Sequence, residues 1–398
     1  MLENMRVVSF THWLQGPATG QYLSDMGADV VRVEPPGGGF ERNWIAAGRS
    51  LEGTGTLYLA ANRNARSIAI DLKKPGGHEI AVRLIENSDV LIENYRPGVM
   101  DRLGLGYDDM KKVNPAIIYA SATGYGADGP LSERPGQDLL VQARTGMIAA
   151  TGEYGERPTA AGAAFVDQHG AALLAMAISA AFAHKLATGE GTRIEGTLFT
   201  AATDLLMESL THYFSLGHER SALKRDHRLA TWSNESPYGV YKLADAFIVV
   251  SINDFSRLGE ALGSDAVAAL AGRDPYGERD EVTRIFAAEL ETRTFAEVEE
   301  GFDRVGIWYE RVRDYEDLRT DPQTAHAGIF REVPIGNSTA TIVNHPIRYN
   351  GKVPEMRRMT LLPGENSCEV MGELGYGQTE IDALLEAGVV IAPDRQTD

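Results

Sequence analysis

Cysteine is almost absent from this chain: Cys368 is the only one in 398 residues. One thiol excludes a disulfide framework and a thiolate metal cluster, and it fits a reducing compartment. Positive charge is also scarce, with 38 Lys and Arg against 56 Asp and Glu, for a formal net charge of −18. A chain this acidic lacks the basic face that displaces counterions from nucleic acid, so no nucleic-acid partner is expected. A single anionic ligand stays allowed where cations gather locally, and Arg42, Arg49, Arg63, Arg66, Arg96 and Arg102 are the candidates. No apolar run is read as long enough to span a bilayer, and no terminal stretch joins basic residues to an apolar core. The expectation is a cytoplasmic protein with no membrane partner. Metal-ligand spacings such as HxxxH are missing too, so no metal is expected.

The first third alternates short apolar runs with helix-like segments. Residues 5–10, 29–34, 66–72, 89–94 and 116–123 read as buried strands, and 17–26, 76–86 and 98–103 as helices. That alternation predicts an α/β fold with a parallel, helix-covered sheet, whose ligands sit at the carboxyl ends of the strands. The loops to watch are therefore 11–16, 35–39, 94–97 and 124–129. The first is not a dinucleotide fingerprint: its glycines are Gly16 and Gly20, with Pro17 between them, and the G-x-G-x-x-G turn is missing.

From 171 to 216 the sequence reads as helical and apolar on more than one face. Asp167 stands at its doorstep, in Ala161-Gly162-Ala163-Ala164-Phe165-Val166-Asp167-Gln168-His169-Gly170. First-turn N–H groups and the helix dipole favour an ionised carboxylate there. On spacing alone, Asp167 is either an ordinary helix cap or a nucleophile in a closed pocket. A polar linker follows, then a hairpin around Ala244-Asp245 and three helical segments, which read as a smaller α+β domain. The expected organisation is a large domain over 1–216, a linker over 217–227, a small domain over 228–325 and a C-terminal return to the large domain over 326–398.

Several motifs in this order resemble the class III coenzyme A transferases, a family that includes formyl-CoA and carnitine-CoA transferases and the related α-methylacyl-CoA racemases. They are Gly16-Pro17 before a helix that leads to Gly27-Ala28-Asp29-Val30-Val31-Arg32-Val33-Glu34; Asn62-Arg63-Asn64-Ala65-Arg66-Ser67-Ile68; Asp89-Val90-Leu91-Ile92-Glu93-Asn94-Tyr95-Arg96-Pro97-Gly98; Gly124-Tyr125-Gly126; Pro237-Tyr238-Gly239-Val240-Tyr241; and Glu373-Leu374-Gly375-Tyr376. The likeness covers essentially the whole chain. It implies a Rossmann-like large domain, an open-ring subunit interlocked with a second copy in a homodimer, and acyl-CoA and a carboxylic acid as substrates, with no permanently bound cofactor. Asp167 matches the catalytic aspartate, which forms an aspartyl anhydride and then an aspartyl-CoA thioester. By position His12, Asn62, Arg66, Asn94 and Arg102 fall in segments that line the CoA groove.

Departures from the family pattern refine this. The racemases carry His where this chain has Gln137, and Gln cannot shuttle protons near neutral pH, so transfer is expected over racemisation. Asp138 is either a second active-site acid or a helix N-terminal residue. Some transferases have Gln one place before Gln15, where this chain has Leu14, which leaves open whether Gln15 takes that role. Trp232, Trp308 and Tyr309 stand where relatives have small residues and are expected to reshape the acyl pocket. The alternatives to a transferase are an acyl-CoA racemase or epimerase, a nucleotide-dependent oxidoreductase, and a non-catalytic acyl-CoA-binding protein.

Overall fold

Strands β1 (Arg6–Phe10), β2 (Asp29–Glu34), β3 (Arg66–Ile70), β4 (Val90–Glu93) and β5 (Ile118–Thr123) form where the apolar runs predict them. The computed structural model describes residues 1–152, 155 and 157–393, so 394–398 of the expected C-terminal return lie outside the described residues. A sixth strand, β6 (Thr192–Thr197), and the short strand Val390–Ile391 complete a seven-stranded sheet in the order Val390–Ile391, β3, β2, β1, β4, β5, β6. All neighbours are parallel except Val390–Ile391, which runs antiparallel to β3.

Side chains alternate across this sheet and split the core in two. Val8, Leu91 and Tyr119 face one layer with Ile80 and Leu84 of helix Pro75–Glu86. Their neighbours Val7, Val90 and Ile118 face the other, with Leu23 of helix Gln15–Asp25 and Leu174, Ile178 and Phe182 of helix Phe165–Thr188. Both faces are covered, which is why the strands are apolar runs rather than alternating ones. The strand order reverses direction between β1 and β4. This is the topological switch point, where loops leaving adjacent strands diverge and leave a crevice.

The segment expected to be helical from 171 to 216 differs. It divides into helices Phe165–Thr188, Leu198–Leu205 and Met207–Ser215, with β6 between the first two. Thr-Arg-Ile-Glu-Gly-Thr is polar because β6 is an edge strand with no fully buried residue, so it carries no apolar-run signal. Phe165–Thr188 is 24 residues long and apolar enough by length and composition to cross a membrane, which corrects the reading that no run reaches that length. In the fold it packs on β5, β6 and helix Gln15–Asp25.

The chain forms two compact units. One comprises Met1–Val141, Ala164–Leu205 and Gln323–Asp398, and includes the hairpin of strands Phe330–Ile335 and Ser338–Val343. The other comprises Gln142–Ala163 and Leu206–Pro322, and so contains the 217–227 stretch. In that second unit three antiparallel strands, Gly239–Lys242, Phe247–Val250 and Tyr309–Arg311, pack through Tyr241, Ile248 and Val250 on Leu258, Phe286 and Phe302 from three helices. Within 217–227, Arg225 is buried and donates to the carbonyls of Leu229, Ala230 and Ala150.

Candidate active site

At the switch point the loops after β1 and β4 are stitched together. The His12 backbone N–H donates to Asn94 Oδ1 at 2.9 Å, and Asn94 Nδ2 donates back to the His12 carbonyl at 2.7 Å. The chain turns into helix Gln15–Asp25 through Gly16, where a Cβ would lie 2.6 Å from Thr11 Cβ and 3.1 Å from the Asn94 side chain; only glycine fits. His12 packs on Tyr95 with ring centroids 5.2 Å apart. Burial, with a smaller contribution from the Arg32 charge, lowers its pKa, so the imidazole is neutral at pH 7.

Gln15 opens that helix and is 5% exposed. Its side-chain nitrogen is buried with no hydrogen-bond partner among the described residues. The amide lies against Gly170, where a Cβ would come within 2.5 Å of Nε2. Thr19 Oγ1, one turn further along, reaches the Ala171 carbonyl at 3.4 Å. The β1 loop is thereby held against the first turns of helix Phe165–Thr188.

Asp167 lies in the first turn of that helix, which starts six residues earlier than its apolar run suggests. Its backbone N–H donates to Asp138 Oδ2 at 2.9 Å, so Asp138 caps the helix from a distant segment. Asp138 is itself buried and opens helix Asp138–Arg144. Of the two roles that the sequence left open for Asp138, the structure shows the helix N-terminal one, and it sets that acid beside Asp167. Gln137, next to it, is exposed. Burial, then the negative charge of Asp138, pushes the Asp167 carboxyl up to about 7. This corrects the expectation of a carboxylate kept ionised by the helix dipole. A dipole contribution of about 0.3–1 kcal/mol is outweighed by desolvation and a like charge.

The CoA-groove candidates divide. His12 and Asn94 meet at the carboxyl ends of β1 and β4, and Arg102 is exposed at the end of helix Val99–Arg102, which follows the Asn94 loop. Asn62 and Arg66 are corrected to internal roles. Asn62 is buried, accepts from Arg32 Nη1 at 2.6 Å and donates to the Tyr58 carbonyl. Arg66 begins β3, at the end of the sheet away from the loops, and its guanidinium is held by Asp29 at 2.6 Å, Glu373 at 2.7 Å and Glu369 at 3.0 Å. A cation so surrounded has no donor left for a phosphate.

Trp232 is also internal: it is buried in the second unit, with its indole N–H on Ser209 Oγ at 2.7 Å, whereas Trp308 is exposed. His169 pairs with Asp204 at 2.7 Å. Among the described residues no cluster of His, Cys, Asp and Glu could hold a metal ion. One feature of the first unit was missed by the sequence reading. Trp13, Phe40 and Trp44 form a three-ring cluster, with centroids 4.7, 5.2 and 5.5 Å apart. Trp13 comes from the loop after β1, whereas Phe40 and Trp44, four apart, open and cap helix Phe40–Asn43.

The family model described as CoA-transferase family III matches residues 2–365. A human succinyl-CoA:glutarate CoA-transferase is 31% identical, over 98% of this chain and 90% of its own length. A succinate–glutarate CoA-transferase of Agrobacterium fabrum is also 31% identical, over 94% of this chain and 95% of its own. The crystal structure of a CAIB/BAIF family protein from Brucella suis superposes with a TM-score of 0.80 at 28% identity, covering 94% of this chain and 99% of that one.

Proposed function

We propose that this chain, which belongs to CoA-transferase family III and is an enzyme of that class, moves CoA from an acyl-CoA to a free carboxylic acid with Asp167 as the nucleophile. The Asp167 carboxylate attacks the thioester carbonyl, the C–S bond breaks, and CoA thiolate leaves a mixed anhydride on Asp167. The thiolate then attacks the aspartyl carbonyl, the anhydride C–O bond breaks, and the first acid departs from an aspartyl-CoA thioester. A second acid repeats the two steps in reverse. An acyl carboxylate keeps the group activated throughout, where a serine ester would be a stable end point.

The observation that carries this reading is the contact that sets Asp167 beside Asp138 in the first turn of helix Phe165–Thr188, where burial and the second charge push its carboxyl up to about 7. A carboxylate destabilised by burial is a stronger nucleophile than a solvated one, and it still ionises near neutral pH. Gln15 supports it: its buried Nε2, without a partner and lying against Gly170, is a donor available to an oxyanion forming on the Asp167 acyl group. His12, Asn94 and Arg102 are assigned to CoA, with Arg102 as the exposed cation for a phosphate. Gln137 has no imidazole to exchange an α-proton, which disfavours the racemase. Dicarboxylates are the first acids to try, between two molecules or within one, since two of the relatives above are named for succinate and glutarate.

The enzyme is proposed to act as an interlocked homodimer. Helix Phe165–Thr188 is apolar all round, yet Ala172, Met176, Ala180 and Ala183 line an exposed stripe, with Met176 65% exposed. A stripe of that kind on a central helix calls for a cover. The lone thiol suits a cytoplasmic setting.

The decisive test mixes the protein with a CoA thioester and an isotopically labelled acid. The expected result is exchange of CoA between them, with a hydroxylamine-trapped adduct on the Asp167 peptide when donor is supplied alone. Exchange of the α-hydrogen without an adduct identifies a racemase, and binding with neither reaction identifies a non-catalytic protein.

A further inference from the structure

Glu34 and Glu93 end β2 and β4, and both are buried. Burial penalises a carboxylate, and the fold answers that penalty differently at the two positions. Burial alone would raise the Glu34 pKa, but Arg32 at 3.6 Å and Arg42 at 2.7 Å bring it down to about 2. Among the described residues Glu93 has no such cation. Burial raises its pKa and the Asp101 charge adds to the rise, while the groups that oppose it are the Ser121 hydroxyl and the Tyr95 backbone N–H. A buried carboxyl held by hydrogen bonds alone costs stability, and groups kept at such a cost cluster at functional sites.

The carboxyl serves the turn that leaves β4. Glu93 is in register with Phe10 of β1 on one side and Ser121 of β5 on the other, so it ends its strand at the switch point. The sheet ladder is weak just beyond it, where the Asn94 N–H reaches the Phe10 carbonyl only at 3.4 Å. Glu93 Oε2 accepts the Tyr95 N–H at 3.0 Å instead, which ties down the residue between them, Asn94. Asn94 in turn holds the His12 backbone through both ends of its amide, and the Tyr95 ring packs on the His12 ring. The same amide lies 3.1 Å from where a Cβ on Gly16 would stand, next to Gln15. One carboxyl oxygen therefore sets the path of the turn that presents Asn94 and braces the loop after β1.

We infer that Glu93 is a positioning residue for CoA: its carboxyl oxygen holds the Asn94–Tyr95 turn in the shape that clamps His12, and what it supplies is a hydrogen-bond acceptor rather than a charge. The inference rests on the assignment of His12 and Asn94 to CoA and deepens it. Glu93 acts through its neighbours and not on the reacting atoms, so its loss shows in CoA binding before it shows in turnover. Gln reaches as far as Glu, keeps an oxygen for the Tyr95 N–H and can donate to Ser121 Oγ, whereas Met fills a similar volume with only a weak acceptor.

The test measures the dissociation constant of free CoA by calorimetry, and kcat at saturating substrates, in Glu93→Gln, Glu93→Met, Asn94→Ala and the double variant Glu93→Met with Asn94→Ala. Glu93→Gln is expected to bind CoA within about threefold of wild type, and Glu93→Met about tenfold more weakly or worse, with kcat changed less than about threefold. Asn94→Ala weakens CoA as well, and adding Glu93→Met to it costs no more than about a further threefold, because Glu93 acts through that residue. If Glu93→Met does not fold, Ser121→Ala withdraws the other partner of the carboxyl, and CoA binding about threefold weaker is expected; unchanged binding there overturns the inference. So does a Glu93→Gln protein as impaired as Glu93→Met, a folded Glu93→Met that binds CoA normally, or a double variant in which the two losses multiply in full. Each of these leaves the CoA assignment of Asn94 standing. Normal CoA affinity in Asn94→Ala removes that assignment and the inference together, while exchange of CoA in the wild type reads the transferase proposal separately.

Discussion

The backbone N–H of Asp167 donates to the carboxylate of Asp138, so the carboxyl assigned as nucleophile starts its helix beside a second negative charge. One contact both positions the helix end and adds to the effect of burial on the acidity of the group it carries.

The pH profile follows from that. Attack needs ionised Asp167, and burial with the Asp138 charge holds it half protonated near pH 7. The rate of adduct formation from donor alone should rise with pH through about 7 and level off above it. Asp138→Asn should move the inflection to lower pH without restoring an ordinary aspartate value, because burial is the larger cause. Stopped-flow adduct formation between pH 5 and 9 reads both; an inflection that stays in place in Asp138→Asn would remove Asp138 from the electrostatics of the site.

Stability carries the opposite sign. The folded state raises the pKa of Asp167 above its ordinary 3.8, so it binds a proton that the unfolded chain releases, and stability falls as pH rises from about 4 through about 7. Asp167→Asn removes that cost. It should be inactive yet more stable than wild type at pH 8 by on the order of 1–3 kcal/mol, with the difference vanishing near pH 4. Thermal melts at the two pH values test this, and a variant less stable at both would show that the carboxylate is welcomed by the fold.

Gly170→Ala places a methyl group 2.5 Å from Gln15 Nε2, the movable end of a side chain, so the clash displaces the amide rather than the backbone. Turnover should fall about 10–1,000-fold, as for loss of one oxyanion donor, with little change in the KM for donor. Gln15→Ala should match it. A Gly170→Ala enzyme of normal kcat would show that the Gln15 amide is dispensable.

Two arginines separate structure from binding. Arg66→Met leaves Asp29, Glu369 and Glu373 without their shared cation and should lower stability by about 1–3 kcal/mol, since the carboxylates are partly solvated, while the KM for acyl-CoA stays unchanged. Arg102→Ala should leave the melting temperature alone and raise that KM about tenfold, less so at high salt. The reverse pattern would return Arg66 to the CoA groove.

Much of this protein is determined by local sequence. Val7, Val8, Val30 and Val31 announce strands because both faces of the sheet are covered, and Asn94 and His12 follow apolar runs whose carboxyl ends must open at the switch point. The ordered motifs, with Asp167 before an apolar run, were enough for the family. Tertiary structure decided what depends on residues far apart in sequence. Asp138 and Asp167 are 29 positions apart, and their contact reversed the expected acidity, since desolvation and a like charge are properties of the folded neighbourhood. Arg66 looked like a phosphate ligand until Glu369 and Glu373 arrived from some 300 positions away. The polar edge strand β6 had no apolar run to reveal it, because an edge strand needs none, and the meeting of Trp13 with Phe40 and Trp44 joins a loop to a helix some 30 positions away, so it exists only once the chain has folded.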